Sequence, residues 1–464
     1  MELTFHGAAR EVTGSCHVVR WNGKTVLLDM GLFQGRRAEV QQKNTTLPVG
    51  ADSIDAVVLS HAHIDHAGRL PLLVRHGYRG PIFTTHATRD LCRVMLADSA
   101  HIQEKDAEFL ARRNREHHDP LYDRNDVEQT IRLMRGVGYS TRAEIMNGLT
   151  VEFLDAGHIL GSASVVLEGS DGAARKRLAF SGDVGRAGLA IIRDPIAPSD
   201  LDGVIMESTY GNRDHSSVEG ARQRLAAVVN ETAARGGKIL IPAFAVGRTQ
   251  ELIYTLHELV RAREIPAIPV IIDSPLATEA TKVFSTNANL FDTTEPFVRE
   301  YKRHPGGVLE NDLVEFTESV EASKEAMARR GPMIVIAASG MVESGRILHH
   351  LLHGASDPRN TILIVGFQAE YTLGRRIVEK QPKIKVFGEE VDLRARVEVL
   401  NGYSAHADRT ELAKWHGEVL RTSPRLAHTW LVHGEVTAQD ALAASFAARG
   451  IAVSSPSPGD KAVV

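Results

Sequence analysis

The sequence predicts an α/β fold divided into more than one domain, on three observations. A length of 464 residues exceeds what a single hydrophobic core ordinarily serves. From Ser216 to Val365, short apolar runs alternate with helix-compatible stretches, the pattern of a parallel sheet covered by helices. On both sides of that region, strand signals run into histidines and acidic residues at their exits, most densely in His61-Ala62-His63-Ile64-Asp65-His66. Three imidazoles and a carboxylate directly after the apolar run Ala56-Val57-Val58-Leu59 make a metal site by composition, and this donor set suits zinc. Cysteine is absent from it, so the site needs further ligands from elsewhere in the chain and keeps an open position.

Composition narrows the class. Hydrophobic residues at 43% and charged residues at 24% are those of a soluble globular protein. Lys and Arg total 54 against 58 Asp and Glu, a net charge of −4, so no global basic field draws the chain to nucleic acid. Aromatics at 5% argue against a surface of base-stacking platforms. Cys16 and Cys92 imply neither a disulfide scaffold nor a metal pattern, which suits a reducing cytoplasm. The stretch Met1–Gly7 has no leader character, and no run is long enough to span a membrane.

Taken in order, Cys16-His17-Val18-Val19-Arg20 and Thr25-Val26-Leu27-Leu28 form a hairpin across Asn22-Gly23, which supplies the positive φ such a turn needs. The second strand ends at Asp29-Met30-Gly31, where Asp29 reads as a ligand, an orienting acid or a plain turn residue. Residues 88–135 are charged and helix-compatible, with His117-His118 on a solvated face. A strand over Leu149–Leu154 leads to His158, a candidate distant ligand that alone reads equally as a satisfied core histidine. Arg177-Leu178-Ala179-Phe180 leads to Asp183, placed between Gly182 and Gly185 where a carboxylate can bridge two metals. Asp202–Met206 delivers Glu207-Ser208-Thr209-Tyr210-Gly211.

Beyond this point Ser216 with Glu219 reads as a capping box for a helix ending near Gly236-Gly237. Strands follow at Lys238–Ile241, Ala267–Ile272, Met333–Ala337 and Thr361–Val365, with helices over 249–263 and 345–353 and a largely helical stretch to Arg330. Two strand-to-helix loops carry glycine and arginine: Pro242–Thr249 with Arg248, and Ala338–Arg346 with Ser339, Gly340 and Arg346. Their N–H groups suit a phosphate, and a plain turn explains either loop as well. His349, His350 and His353 share a helix face without a carboxylate, so no metal site is expected there. Strands return at Ala395–Leu400 before Ser404-Ala405-His406-Ala407-Asp408 and at Leu426–Val432 before His433-Gly434-Glu435. A last strand pair is expected near Ile451 and Ala462.

This ordered set resembles the metallo-β-lactamase superfamily. Asp29, His61-x-His63-x-Asp65-His66, His158 and Asp183 look like its four motifs. Glu207, His406 and His433 in their settings look like the three further motifs of its β-CASP branch of nucleases. The resemblance covers almost the whole chain. It implies an α/β architecture in which residues 1–208 and 388–464 build an αββα metallo-β-lactamase sandwich, with 209–387 as an inserted α/β β-CASP domain. It implies two zinc ions per chain, one on His61, His63 and His158 and one on Asp65, His66 and His433, with Asp183 bridging and Asp29 orienting a ligand. Histidine at the last motif, His433, is typical of RNA-directed members, and the length resembles the short bacterial ones.

The activity so implied is zinc-dependent hydrolysis of single-stranded RNA in the cytoplasm, by endonucleolytic cleavage leaving a 5′-phosphate and a 3′-hydroxyl. Metals roughly 3.5–4 Å apart activate water for in-line attack. Asp65, His406 and Glu207 form the catalytic set, with His406 stabilising the phosphate or protonating the departing 3′-oxygen and Glu207 orienting it. Arg248, Arg346, Ser339 and Gly340 are expected to hold flanking phosphates. A 5′-to-3′ exoribonuclease is the alternative mode. A small-molecule metallohydrolase would have no use for the inserted domain, and a non-catalytic scaffold would have lost metal ligands. RNA is the expected partner, no membrane is expected, and a homodimer is left open.

Overall fold

The computed structural model describes all residues except 36, 115–118, 173, 293–306, 367 and 369–370. The pair His117-His118 therefore lies outside the described residues. The chain forms two compact units, one of residues Met1–Ala187, Asp194–Asp214 and His406–Val464, the other of Gly188–Arg193 and His215–Ala405.

In the first unit the expected hairpin forms, Cys16–Trp21 running antiparallel to Lys24–Leu28 across Asn22 (φ 48°) and Gly23 (φ 74°). It is the centre of a seven-stranded sheet in the order Lys461–Val463, Glu2–Gly7, Cys16–Trp21, Lys24–Leu28, Ala56–Val58, Ile82–Thr85, Met134–Val137. A second seven-stranded sheet runs Val453–Ser454, His428–Val432, Gly203–Glu207, Arg175–Phe180, Ala163–Ser170, Leu149–Asp155, Arg142–Met146. Strand Leu149–Asp155 buries every second residue, because side chains alternate across a pleated strand. The sheets face each other over a shared core, with Phe5, Val19, Leu28 and Val58 from one and Phe153, Val165, Phe180 and Trp430 from the other.

Helices close both outer faces. Leu412 and Trp415 of helix Arg409–Thr422, with Leu442 and Phe446 of helix Val436–Ala447, pack on Val204, Met206 and Leu431 of the second sheet. Helix His86–Asn114 lies along strands Ile82–Thr85 and Met134–Val137 of the first. The layers are helix, sheet, sheet, helix, the αββα sandwich expected from the sequence. The expected strand pair near Ile451 and Ala462 does not pair with itself. Val453–Ser454 joins His428–Val432, and Lys461–Val463 joins Glu2–Gly7 in the opposite sheet. Pro456 and Pro458 separate the two, and proline has no N–H to continue a ladder.

The second unit is organised by a six-stranded, wholly parallel sheet in the order Val314–Phe316, Val270–Ile272, Met333–Ala337, Lys238–Pro242, Thr361–Ile364, Arg396–Val399. Parallel strands need helical crossovers, and Val218–Ala234, Arg248–Arg261, Pro275–Thr286 and Ile347–Gly354 are helices of this unit. Three details differ from the sequence reading. Ser217, not Ser216, caps the first of these helices, accepting the Gly220 N–H. A short strand, Val314–Phe316, sits inside the stretch expected to be helical, with no fully buried residue to announce it. Arg396–Val399 pairs with Thr361–Ile364, so a boundary at residue 387 cuts this unit before its last strand.

Candidate metal centre

The loops that follow the carboxyl ends of strands in the first unit carry the candidate ligands, the usual place for a site in a sheet with parallel strands. Lys24–Leu28 leads to Asp29, Ala56–Val58 to His61–His66, Leu149–Asp155 to His158, Arg175–Phe180 to Asp183, and His428–Val432 to His433. Two glycines let these loops touch. A Cβ at Gly31 would stand 1.6 Å from the Asp65 carbonyl oxygen, and one at Gly185 would stand 1.7 Å from that of Gly157. Asp29 itself adopts φ 60°, unusual for a residue with a side chain, and this turns its carboxylate inward.

The side chains gather into two groups that meet at Asp183. In the first, His61 Nε2 is 3.2 Å from His63 Nδ1, and His158 Nε2 is 3.0 Å from the same atom. Asp183 Oδ2 stands 3.5 Å from both His61 Nε2 and His158 Nε2. In the second, His66 Nε2 is 3.1 Å from His433 Nε2, which is 3.5 Å from Asp65 Oδ2. Asp183 Oδ1 stands 3.2 Å from His66 Nε2. Neighbouring donors on a tetrahedral zinc with 2.0–2.1 Å bonds are about 3.3 Å apart, so both groups have the right spacing. Asp183 is 1% exposed, yet neither of its carboxylate oxygens has a hydrogen-bond partner. A buried, uncompensated carboxylate between imidazole nitrogens is costly unless a cation completes it.

The electrostatics of the first group agree with that donor set, whereas in the second Asp183 and Asp29 outweigh burial and push His66 well above its ordinary range. Burial, with the neighbouring imidazoles, pushes His63 down to about 4 and His61 well below its ordinary range, which leaves both rings neutral. Burial alone would raise the carboxyl of Asp183, but the surrounding histidines outweigh it and hold the group ionised. Asp29 belongs to neither group and lies against the far ring nitrogen of His66. It accepts from His66 Nδ1 at 2.7 Å, from the Ser60 N–H at 2.8 Å, and from the hydroxyls of Ser60 and Ser15. The Ser60 hydroxyl also lies 3.1 Å from His61 Nδ1, so one serine orders two ring systems.

Glu207 and His406 lie against the same centre. Glu207 is fully buried; its Oε1 accepts the Val184 N–H at 2.7 Å and lies 3.1 Å from His406 Nδ1. Burial lowers the His406 pKa, but Glu207 and Asp183 outweigh it and push the group up to about 9. Two residues here escaped the sequence reading, Ser60 and Thr209. The Thr209 hydroxyl is 3.1 Å from His433 Nδ1, a partner 224 positions away.

The expected phosphate-holding residues all belong to the second unit. Ser339 accepts the N–H groups of Glu343 and Ser344 through its hydroxyl, and Gly340 lies under the ring of the exposed Phe244. Arg248 is 6% exposed, a buried residue rather than one held out on its loop. Arg346 is a correction: its guanidinium donates to Asp273 Oδ1 at 2.8 Å and to the carbonyls of Thr317 and Glu318 at 2.9 Å. Asp273 is fully buried and also meets His350 Nε2 at 2.7 Å, Ser323 and Thr317. Arg346 is thereby a structural clamp, and His350 has a carboxylate that its own helix did not contain.

Removing that carboxylate takes the anionic partner from the buried His350 and from the partly buried Arg346. Asp273→Ala is expected to destabilise the protein by about 3 kcal/mol in urea unfolding. Burial alone would raise the Asp273 carboxyl, but His350, Thr317, Ser323 and Arg346 hold it well below the carboxylate range. Its contribution is therefore complete above the unfolded value near pH ~4 and lost as pH falls further, so the variant should show a flatter acid profile.

Three family descriptions match the chain: the metallo-beta-lactamase superfamily over residues 9–78, the Beta-Casp domain over 249–377, and a Zn-dependent metallo-hydrolase RNA specificity domain over 390–456. The last of these contains His406 and His433. A Thermus thermophilus protein named as a ribonuclease is 37% identical over 98% of both chains. A transcription termination factor, FttA, of Methanosarcina mazei is 31% identical over 96% of this chain and 68% of its own. A crystal structure of a protein of unknown function from Enterococcus faecalis, 13% identical, covers 100% of this chain and 99% of its own with a TM-score of 0.57, which is a likeness of fold.

Proposed function

The chain belongs to the β-CASP branch of the metallo-β-lactamase superfamily, a family of RNA-processing metal-dependent hydrolases, and on that premise we propose that it is a zinc ribonuclease acting on single-stranded RNA. Cleavage is endonucleolytic and leaves a 5′-phosphate and a 3′-hydroxyl. The observation that carries the reading is Asp183, whose two buried oxygens each face a separate histidine group and accept no hydrogen bond. His61, His63 and His158 would hold one ion and Asp65, His66 and His433 the other, with Asp183 common to both. The chemistry supplied by bound zinc is charge stabilisation at the phosphoryl oxygens and a water acidic enough to attack near neutral pH.

The chain's own residues do the rest. Asp29 and Ser60 fix the rings of His66 and His61 from behind, so the ligand atoms do not reorganise during the reaction. His406, protonated at neutral pH, gives its Nε2 proton to the 3′-oxygen as the P–O bond breaks, which yields the 3′-hydroxyl directly. Glu207 holds the opposite ring nitrogen and stabilises the imidazolium. Ser339 remains a candidate phosphate contact in the second unit.

Product analysis tests mode and end chemistry together. RNA labelled at its 5′ end and, separately, at its 3′ end is expected to give internal fragments from both labels. The downstream fragments should accept a new 5′ label only after phosphatase treatment. Release of single nucleotides from the 5′ end would replace the endonuclease with an exonuclease.

A further inference from the structure

We propose that Thr209 is a positioning residue for the second metal position: its hydroxyl accepts a hydrogen bond from the Nδ1–H of His433 and so keeps the Nε2 lone pair facing Asp65 and His66. The inference rests on the reading of His433 as a ligand given above. Thr209 and His433 are 5% and 3% exposed, so water does not compete for either group. The Thr209 Oγ1 is 3.1 Å from His433 Nδ1 and 3.1 Å from the His433 carbonyl oxygen. A hydroxyl has one proton and two lone pairs; donating to the carbonyl, it accepts at the ring, which places the ring proton on Nδ1. Asp183 Oδ1, at 3.6 Å from the same nitrogen, is beyond hydrogen-bond distance. Nε2, 3.1 Å from His66 Nε2 and 3.5 Å from Asp65 Oδ2, then carries the lone pair.

The backbone at His433 is already fixed by other means. Its φ is 50°, its N–H donates to the Ala8 carbonyl at 2.6 Å, and its carbonyl accepts the Ser208 N–H at 3.2 Å. What the hydroxyl adds is the rotation and tautomer of the ring. The same device serves two of the other Nε2 groups near Asp183, with Ser60 behind His61 and Asp29 behind His66. The Thr209 N–H separately donates to Glu207 Oε2 at 3.1 Å, and a valine at this position keeps that bond while losing the hydroxyl.

The test compares zinc affinity by chelator competition in the full chain and in its Thr209→Val, Thr209→Ser and His433→Ala variants. Thr209→Val is expected to bind the weaker of two zinc ions about 10–100-fold less tightly, with the melting temperature of the stripped protein unchanged. Thr209→Ser should restore wild-type affinity. Wild-type affinity in Thr209→Val, or a loss that serine does not rescue, overturns the proposal, provided His433→Ala has lost an ion. If His433→Ala keeps both ions at wild-type affinity, the reading of the site fails instead.

Discussion

Replacing Asp183 with alanine is expected to lower bound zinc from two ions per chain to fewer than one and to reduce RNA cleavage on the order of 10³-fold or more. The carboxylate is the one group shared by both clusters, Oδ2 with His61 and His158 and Oδ1 with His66. Its removal takes an anionic donor from each position at once, leaving only neutral imidazoles at the first and Asp65 as the single anion at the second. Elemental analysis of the purified variant, with far-UV circular dichroism as a control for folding, checks the outcome. Two tightly held ions in a folded variant would show that Asp183 does not bridge. The comparison with His158→Ala is informative, because His158 belongs to one cluster and its loss should cost one ion.

The second large effect concerns proton transfer. His406→Ala is expected to slow cleavage ~10²–10⁴-fold while zinc content stays at the wild-type value. Its pH dependence follows from the carboxylates around it. Burial lowers the His406 pKa, Glu207 and Asp183 raise it to about 9, and only the protonated ring can act as an acid. The rate should therefore fall as pH rises through that value. Glu207→Gln removes one of the two anions, lowers the His406 pKa, and moves the alkaline limb of the pH–rate profile to lower pH. An alkaline limb that does not move in Glu207→Gln would assign it to another group.

Much of the first unit was legible because its chemistry sits where chain geometry forces it. A run such as Ala56–Val58 is buried on both faces and must stop, and the loop that follows is the first place where polar side chains face one another. His61, His63, Asp65 and His66 occupy one such loop, and His158, Asp183 and His433 occupy others at equivalent strand ends. What was not legible depends on partners far apart in sequence. Thr209 looks like an ordinary turn threonine until its hydroxyl meets a ring 224 residues later. Arg346, in a glycine-containing loop, has the appearance of a phosphate clamp, and only the fold shows Asp273, 73 residues earlier, already holding it. The strand at Arg396–Val399 reads correctly as a strand, but nothing local says which sheet it joins. Its register with Thr361–Ile364 is a tertiary fact.

Hydrolysis of single-stranded RNA by a two-zinc centre in the first unit requires that activity and metal rise and fall together. It is tested most directly by one assay on the full chain, with 5′-labelled single-stranded RNA beside a DNA of the same sequence. The protein is used as purified, after removal of metal by a chelator, and after return of two equivalents of zinc. The RNA is expected to be cleaved, with cleavage lost on chelation and restored by zinc, and with a much weaker reaction on DNA. RNA left intact by protein carrying two zinc ions, or cleavage that persists without metal, would contradict it.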